Sequence, residues 1–285
     1  MSELLTHHRL PVNGVTYHAI EAGSGPALLL LHGFTGSHAN WHAVMAALAP
    51  NYRVIAADLL GHGQTDAPAD PARYAMPHAA ADLVALMTAL DADIFHLLGY
   101  SMGGRLALFT ALAYPARVQS LVLESASPGL AGADERAARV TADEALAASI
   151  VRDGMAAFVD RWEALSLFAS QARLPAATRA RLRAQRLANN PTGLANSLRG
   201  MGTGIQPALW PRLHEATMPA LLLTGAEDAK FCAIARAMVK EMPRPQHITV
   251  ENAGHTVHLE QPADFTRHVN QFLRGQEIRA TNGHR

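Results

Sequence analysis

The sequence predicts an α/β fold: a mostly parallel central sheet with helices on both faces and a helical insertion late in the chain. Three observations carry the prediction. Short β-type runs alternate with helical stretches from Val15 to Glu124. The rhythm stops after Pro128 and resumes at Pro219. A Gly-x-Ser-x-Gly pentapeptide, Gly99 to Gly103, stands between one strand and the helix that follows it. Parallel strands need long crossovers, usually helical, so this alternation points to a parallel sheet rather than to hairpins.

Taken in order, Val15–Ala22 reads as a strand and Ala27–Leu31 as a buried one. The Gly-rich loop His32–Ala39 leads into a helix over Trp41–Ala49, stopped by Pro50. A strand over Arg53–Asp58, a loop over Leu59–Pro71 and a helix over Pro77–Leu90 follow. Next come a strand over Ile94–Gly99, a helix over Met102–Tyr114 and a strand over Val118–Glu124. Residues 129–215 are rich in Ala, Arg and Leu at helical spacing and contain no convincing strand. The last elements are a strand over Pro219–Thr224, a helix over Phe231–Met242, a strand over His247–Val250 and a helix over Pro262–Leu273. The domain reading is a core over residues 1–128 and 216–274, a helical lid over 129–215 and a polar tail over 275–285.

Composition removes several classes of function. The chain has 285 residues, of which 49% are hydrophobic and 17% charged, a globular balance rather than a disordered one. Lys+Arg and Asp+Glu both number 24, so the basic signature of a nucleic-acid partner is missing. The single cysteine, Cys232, excludes an internal disulfide and reads as a small packing residue. Met1–Asn13 is mixed and polar, without the apolar core of a signal peptide. Apolar runs fall far short of the roughly 20 residues of a membrane span. A cytoplasmic protein, monomeric and acting on a small molecule, is the expectation. The 15 histidines are scattered, and His38 and His42 lack the Glu of a zinc-protease helix, so they read as surface or capping residues. No metal and no cofactor are expected.

Ser101 is the candidate chemical centre, because its pentapeptide lies where a strand turns sharply into a helix. Such a turn strains the serine backbone, and the flanking glycines let strand and helix approach. A serine hydroxyl needs a base, and the base needs a carboxylate to fix its tautomer. His255, on the tight turn after the last strand, is the favoured base, with His258 as its rival. Asp228, just past the strand ending at Thr224, is the favoured acid, with Glu227 and Glu124 as rivals. The loop His32-Gly33-Phe34 follows a buried strand and is placed to offer the Phe34 N–H to an oxyanion, with Met102 offering the second.

With those motifs in order, nearly the whole chain resembles the α/β-hydrolase superfamily. Several segments are similar, more narrowly, to the 2-succinyl-6-hydroxy-2,4-cyclohexadiene-1-carboxylate synthase family of menaquinone biosynthesis. They include Leu31-His32-Gly33-Phe34-Thr35-Gly36-Ser37, Gly61-His62-Gly63-Gln64-Thr65-Asp66-Ala67-Pro68 and Gly99-Tyr100-Ser101-Met102-Gly103-Gly104-Arg105. Within the insertion, Gly193-Leu194-Ala195-Asn196-Ser197-Leu198 and Met201-Gly202-Thr203-Gly204 are the discriminating ones. Asp228-Ala229-Lys230-Phe231 and Gly254-His255-Thr256-Val257-His258 complete the set.

The resemblance implies an α/β-hydrolase fold, a Ser101–Asp228–His255 triad and elimination of pyruvate from a cyclohexene bearing several carboxylates. It also implies that Tyr100, Arg105, Arg139 and Trp162 touch that substrate. Arginine suits bidentate carboxylate pairing, and Arg105 lies one turn beyond Ser101. Arg136 competes with Arg139 for the inward position, and Lys230 reads as a solvated charge. Two other readings share the triad. One is an esterase or carbon–carbon hydrolase in which Ser101 attacks a carbonyl. The other is a binding protein on the same scaffold, which has little reason to keep all three residues.

Overall fold

In β3 (Ala27–Leu31) successive leucines enter different cores: Leu29 and Leu31 pack on one face of the sheet, Leu28 and Leu30 on the other. Side chains on a strand alternate with period two. A strand covered on both faces therefore has to be apolar throughout, which is why this one reads as an unbroken run. β7 (Ala220–Gly225) repeats the arrangement, with Ala220 and Leu222 facing one way and Leu221 and Leu223 the other.

The computed structural model describes the backbone of residues 5–282 and the side chains of residues 5–276. Its sheet has the strand order β1-β2-β4-β3-β5-β6-β7-β8. The remaining strands are β1 (Thr6–Val12), β2 (Val15–Ala22), β4 (Arg53–Ala57), β5 (Phe95–Tyr100), β6 (Val118–Glu124) and β8 (Pro245–Val250). β2 runs antiparallel to β1 and β4, and every other pairing is parallel. Helices α1 (His42–Leu48), α2 (Met76–Ala89) and α3 (Met102–Ala113) alternate with the strands. After β6 come α4 (Ala133–Glu163), α5 (Ala176–Leu187) and α6 (Pro191–Met201), with no strand before β7. The chain ends with α7 (Ala229–Glu241), the single-turn α8 (Val257–Glu260) and α9 (Pro262–Asn282). Among the described residues no helix is long and apolar enough to cross a membrane.

The strand and helix expectations agree with these elements to within a few residues, with two exceptions. β1 falls in the segment read only as mixed and polar, because it lies at the sheet edge and its side chains are mostly exposed. The signal that finds it is Asn13-Gly14, with φ +48° and +84°, the backbone a two-residue hairpin turn demands. The final helix runs past Leu273 to Asn282, through most of the segment read as a polar tail. Residues 1–4 and 283–285, which those readings included, lie outside the described residues.

The α4–α6 segment has a small core of its own, built from Ala147, Ile150, Phe158, Val159, Leu194, Ala195 and Leu198. It is fastened to the sheet from both sides. Phe34, on the loop after β3, packs partly into that core. The start of α6 presses Gly193 onto Gly61, where φ is +78°, so closely that a methyl on Gly193 would overlap the Gly61 carbonyl. α4 bends at Gly154, whose φ of +80° and ψ of 171° lie outside helical values.

Two predictions follow from packing and burial. Gly193→Ala forces backbone apart at that contact and costs about 1–3 kcal/mol, read as a lower urea midpoint. Burial, with the nearby His32 adding to it, pushes the His62 imidazole down to about 3, and burial pushes His96 down to about 4. The unfolded chain takes up these protons near pH 6.5 while the folded chain refuses them, so their contribution is complete above pH 6.5 and lost on acidification. Each histidine removes about 2 kcal/mol by pH 5 at about 1.36 kcal/mol per pH unit. Urea unfolding at pH 7.5 and pH 5 measures this, and equal stability at the two values contradicts it.

Candidate active site

Ser101 joins β5 to α3 with φ +50° and ψ −109°, a backbone conformation that costs a non-glycine residue about 1–3 kcal/mol. Its surroundings over-determine it. The Ser101 N–H donates to the Glu124 carbonyl at 2.9 Å, and its carbonyl accepts from the Arg105 N–H at 2.9 Å. A methyl on Gly99 would overlap the Gly103 carbonyl, and one on Gly103 would overlap the Leu31 carbonyl. The two glycines are thus the condition for strand, turn and helix to pack this tightly.

His255 Nε2 lies 3.1 Å from Ser101 Oγ, and His255 Nδ1 lies 2.6 Å from Asp228 Oδ2. A carboxylate only accepts, so the proton is on Nδ1 and the Nε2 lone pair faces the serine. Asp228 is fixed in turn as the N-cap of α7, its Oδ1 accepting from the Phe231 N–H at 3.2 Å. His255 is buried, and the Phe231 ring packs 4.6 Å from its own. Glu260, with a side chain 3% exposed, grips the backbone on both sides of His255. It accepts from the Gly254 N–H at 2.8 Å and from the Thr256 N–H at 3.2 Å. Sequence gave no sign of Glu260, because a carboxylate binding backbone within one turn has no motif.

The rival residues have other partners. His258 and Glu124 pair with each other, Nδ1 to Oε2 at 2.7 Å, and His258 stacks on Trp41 with ring centroids 4.3 Å apart. Glu227 is exposed and bonds Arg173 at 2.8 Å.

The loop after β3 is organised by His32. The Leu59 N–H donates to its Nε2 at 3.0 Å, so the ring proton is on Nδ1, which donates to the Gly33 carbonyl at 2.8 Å. Burial holds this imidazole below its ordinary value and keeps it neutral. In a trans peptide the N–H points away from the C=O, so anchoring the Gly33 carbonyl aims the Phe34 N–H the opposite way. Met102 is the first residue of α3, and its N–H has no intrahelical acceptor.

A cavity of about 230 Å³ opens over Ser101. Phe34, Tyr100, Met102, Arg105, Arg139, Trp162 and His255 all line it, so eight of the nine predicted site residues share one space, with Asp228 behind His255. Arg139 lines it and Arg136 does not; Arg136 donates to the Leu130 and Ala131 carbonyls instead. Arg105 is the most telling residue. It donates to the Met201 carbonyl at 2.8 Å and to Gln206 Oε1 at 2.7 Å. Among the described residues no carboxylate lies within ion-pair distance of it. Burial, with the charge of Arg139 adding to it, pushes the guanidinium down to about 10. Arg139 is held through its Nε by Asp143 at 2.7 Å, and its side chain is 44% exposed. Tyr100 offers its ring, since its hydroxyl is bonded to Thr256 at 3.0 Å. Trp162 carries a buried Nε1 without a hydrogen-bond partner. Lys230, read from sequence as a solvated charge, is exposed but also lines the cavity.

A strained serine at a strand–helix elbow, a histidine–carboxylate relay and backbone donors at the end of a parallel sheet define an enzyme of the α/β-hydrolase class. The sequence profile of the α/β hydrolase fold family matches residues 26–262. A Bacillus subtilis (strain 168) relative, named as a candidate 2-succinyl-6-hydroxy-2,4-cyclohexadiene-1-carboxylate synthase, is 47% identical over 263 residues, covering 92% of this chain and 96% of its own. The enzyme of that name from Serratia proteamaculans (strain 568) is 32% identical over 249 residues, 87% of this chain and 93% of its own. The solved structure of MenH from S. aureus matches with a TM-score of 0.87 at 35% identity, covering 92% of this chain and 98% of that one. The chain belongs to the 2-succinyl-6-hydroxy-2,4-cyclohexadiene-1-carboxylate synthase family, within the α/β hydrolases.

Arg105 and Arg139 both line the cavity, and only Arg139 has a carboxylate within ion-pair distance among the described residues, so binding of a small dicarboxylate is the expected outcome. Succinate entering it should change the fluorescence of Trp162, since Trp41 is buried elsewhere and Trp210 is not in the lining. Arg105→Met should weaken that binding about 10–100-fold, the size of a lost hydrogen bond to a charged group. Unchanged succinate affinity in the variant would remove Arg105 from the receptor.

Proposed function

We propose that this enzyme eliminates pyruvate from 2-succinyl-5-enolpyruvyl-6-hydroxy-3-cyclohexene-1-carboxylate, giving 2-succinyl-6-hydroxy-2,4-cyclohexadiene-1-carboxylate in menaquinone biosynthesis. The observation that carries the reading is Arg105, a half-buried guanidinium without a carboxylate within ion-pair distance, converging with Arg139 on the cavity that holds Ser101. An uncharged ester has no use for two such groups. A substrate with several carboxylates compensates Arg105 and can engage the outer face of Arg139 as well.

In this reading Ser101, Asp228 and His255 act as a base and not as an acylating unit. The Ser101 Oγ proton passes to His255 Nε2 across 3.1 Å, and Oγ takes a proton from ring carbon. The C2–H electron pair forms the C2=C3 double bond, the C3=C4 pair moves to C4=C5, and the C5–O bond to the enolpyruvyl group breaks. The departing enolate takes up, at carbon, the proton that His255 gives back, and leaves as pyruvate. Asp228 stabilises the imidazolium formed in between, and the Phe34 and Met102 N–H groups hold charge delocalised onto the succinyl carbonyl oxygen beside that ring carbon. The helices of residues 129–215 act as a lid, bringing Arg139 and Trp162 over the ring and excluding water. Lys230 at the rim supplies a further cation for an outer carboxylate. The relatives that carry this activity in their names support the reading, as does the convergence of the arginines.

The test uses precursor made enzymatically from isochorismate and 2-oxoglutarate, with pyruvate release followed beside hydrolysis of a p-nitrophenyl ester. Wild-type protein should release pyruvate far faster than it hydrolyses the ester. Ser101→Ala should lower kcat about 10²–10⁴-fold, the range of a lost general base. Ester turnover without pyruvate would turn the reading to a hydrolase, and a covalent substrate adduct on Ser101 would remove the base role.

A further inference from the structure

Outside the catalytic cavity, the fold gathers four of the scattered histidines around one buried carboxylate. His7 comes from β1, His18 from β2, His38 from the turn before α1, and Asp58 from the end of β4. His42 lies next to His38, with ring centroids 5.8 Å apart. None of these residues lines the space over Ser101. Sequence read His38 as a surface or capping residue, but its side chain is only 13% exposed and is bonded to Asp58, while Ser37 does the capping.

Asp58 fixes the chemistry of the group. It is fully buried and accepts from His18 Nδ1 at 2.8 Å and from His38 Nδ1 at 2.9 Å. The His38 and Gln64 N–H groups also donate to it, at 2.7 and 2.9 Å. With two backbone N–H groups and two imidazoles aimed at its two oxygens, the carboxylate acts only as an acceptor. Both imidazoles must then carry their protons on Nδ1, which leaves both Nε2 atoms as bare lone pairs. A carboxylate on the far nitrogen is the arrangement that orients metal-binding histidines and raises their basicity.

The third imidazole is already close. His7 Nδ1 lies 3.1 Å from His18 Nε2, against about 3.4 Å for two nitrogens on one tetrahedral zinc ion. The ring centroids of His7, His18 and His38 stand 4.8, 5.4 and 6.4 Å apart. Three imidazoles bound through nitrogen to such an ion have centroids about 5 Å apart. Small rotations of His7 and His38, the two accessible members, are enough to converge the set.

We propose that His7, His18 and His38 form a surface site for a divalent transition metal of the zinc type, with Asp58 orienting two of the three ligands and solvent or His42 completing the shell. The residues come from β1, β2, the loop after β3 and the end of β4, so a bound ion cross-links the edge hairpin to the loop that begins with His32-Gly33-Phe34. Its role is to staple that edge, apart from the chemistry at Ser101. Imidazole ligands favour Zn²⁺, Ni²⁺ and Cu²⁺ over Mg²⁺ and Ca²⁺.

The experiment is a titration of the metal-free full chain with Zn²⁺, read by calorimetry and by the shift in thermal midpoint, with Co²⁺ as a spectroscopic substitute. One tight Zn²⁺ per chain, a raised midpoint reversed by EDTA, and visible cobalt bands of a low-coordinate nitrogen site are expected. His7→Gln, at an exposed position where folding is safe, should weaken binding at least about tenfold and abolish the midpoint shift. His38→Gln, checked for native circular dichroism, should do the same. Mg²⁺ should have no effect. Zinc binding of equal affinity in both variants, or no zinc-dependent shift in the wild type, overturns the site and leaves an imidazole–imidazole hydrogen bond in its place.

Discussion

The structure depends on one tight crossing of backbone. At Ser101 the chain leaves a central strand and enters a helix within a single residue, at a φ that β-carbon sterics oppose. The crossing is possible only because Gly99 and Gly103 present no side chain to the carbonyls they face. Hydrogen bonds to Glu124 and Arg105 then hold the serine where relaxation would carry it away. The consequence is directional. Oγ stands clear of the sheet, the first amide of α3 lies beside it, and the side chain one turn along, Arg105, is delivered to the same cavity. Strain, exposure of the serine hydroxyl and charge placement are three results of one geometric constraint.

The same physics of a histidine fixed by a carboxylate appears three times with different results. At His255 the carboxylate is Asp228, the other nitrogen faces Ser101, and the pair is positioned for proton transfer. At His258 the carboxylate is the buried Glu124, and the ring stacks on Trp41. That pair fastens the loop after β8 against the core. At Asp58 one carboxylate serves two imidazoles that lie beside a third, with the outer nitrogen of His18 3.1 Å from it, the geometry from which the metal site is inferred. What a histidine–carboxylate pair does is decided by what meets its second nitrogen.

The helical segment between β6 and β7 supplies what the sheet cannot. Parallel strands end in backbone groups and short loops, which favour developing negative charge but carry little positive charge of their own. Arg139 and Trp162 come from α4, and Arg105 is steadied by Met201 at the end of α6 and by Gln206 beyond it. Phe34 links the two regions, packing against the small helical core and lining the cavity over Ser101.

The core strands were legible because a strand buried on both faces has to be continuously apolar, as Ala27–Leu31 is. The elbow was legible because only glycine permits its contacts. The strand ends and the Gly254 turn marked Asp228 and His255 ahead of Glu227 and His258, and the structure brings those two side chains into line with Ser101. Edge strand β1 was not legible from hydrophobicity, since a mostly exposed strand has none to show, although Asn13-Gly14 marked its turn. Arg139 could not be separated from Arg136, because residues three apart on a helix share a face and only the packing of α4 settles which one reaches the cavity. Glu260 and the cluster around Asp58 had no signature at all. Local sequence thus determined which segments are strands and helices, and which serine stands at the elbow, because burial and backbone sterics act on neighbouring residues. Tertiary structure alone decided which charges lack partners and which histidines meet, because those depend on distances between segments that sequence order does not encode.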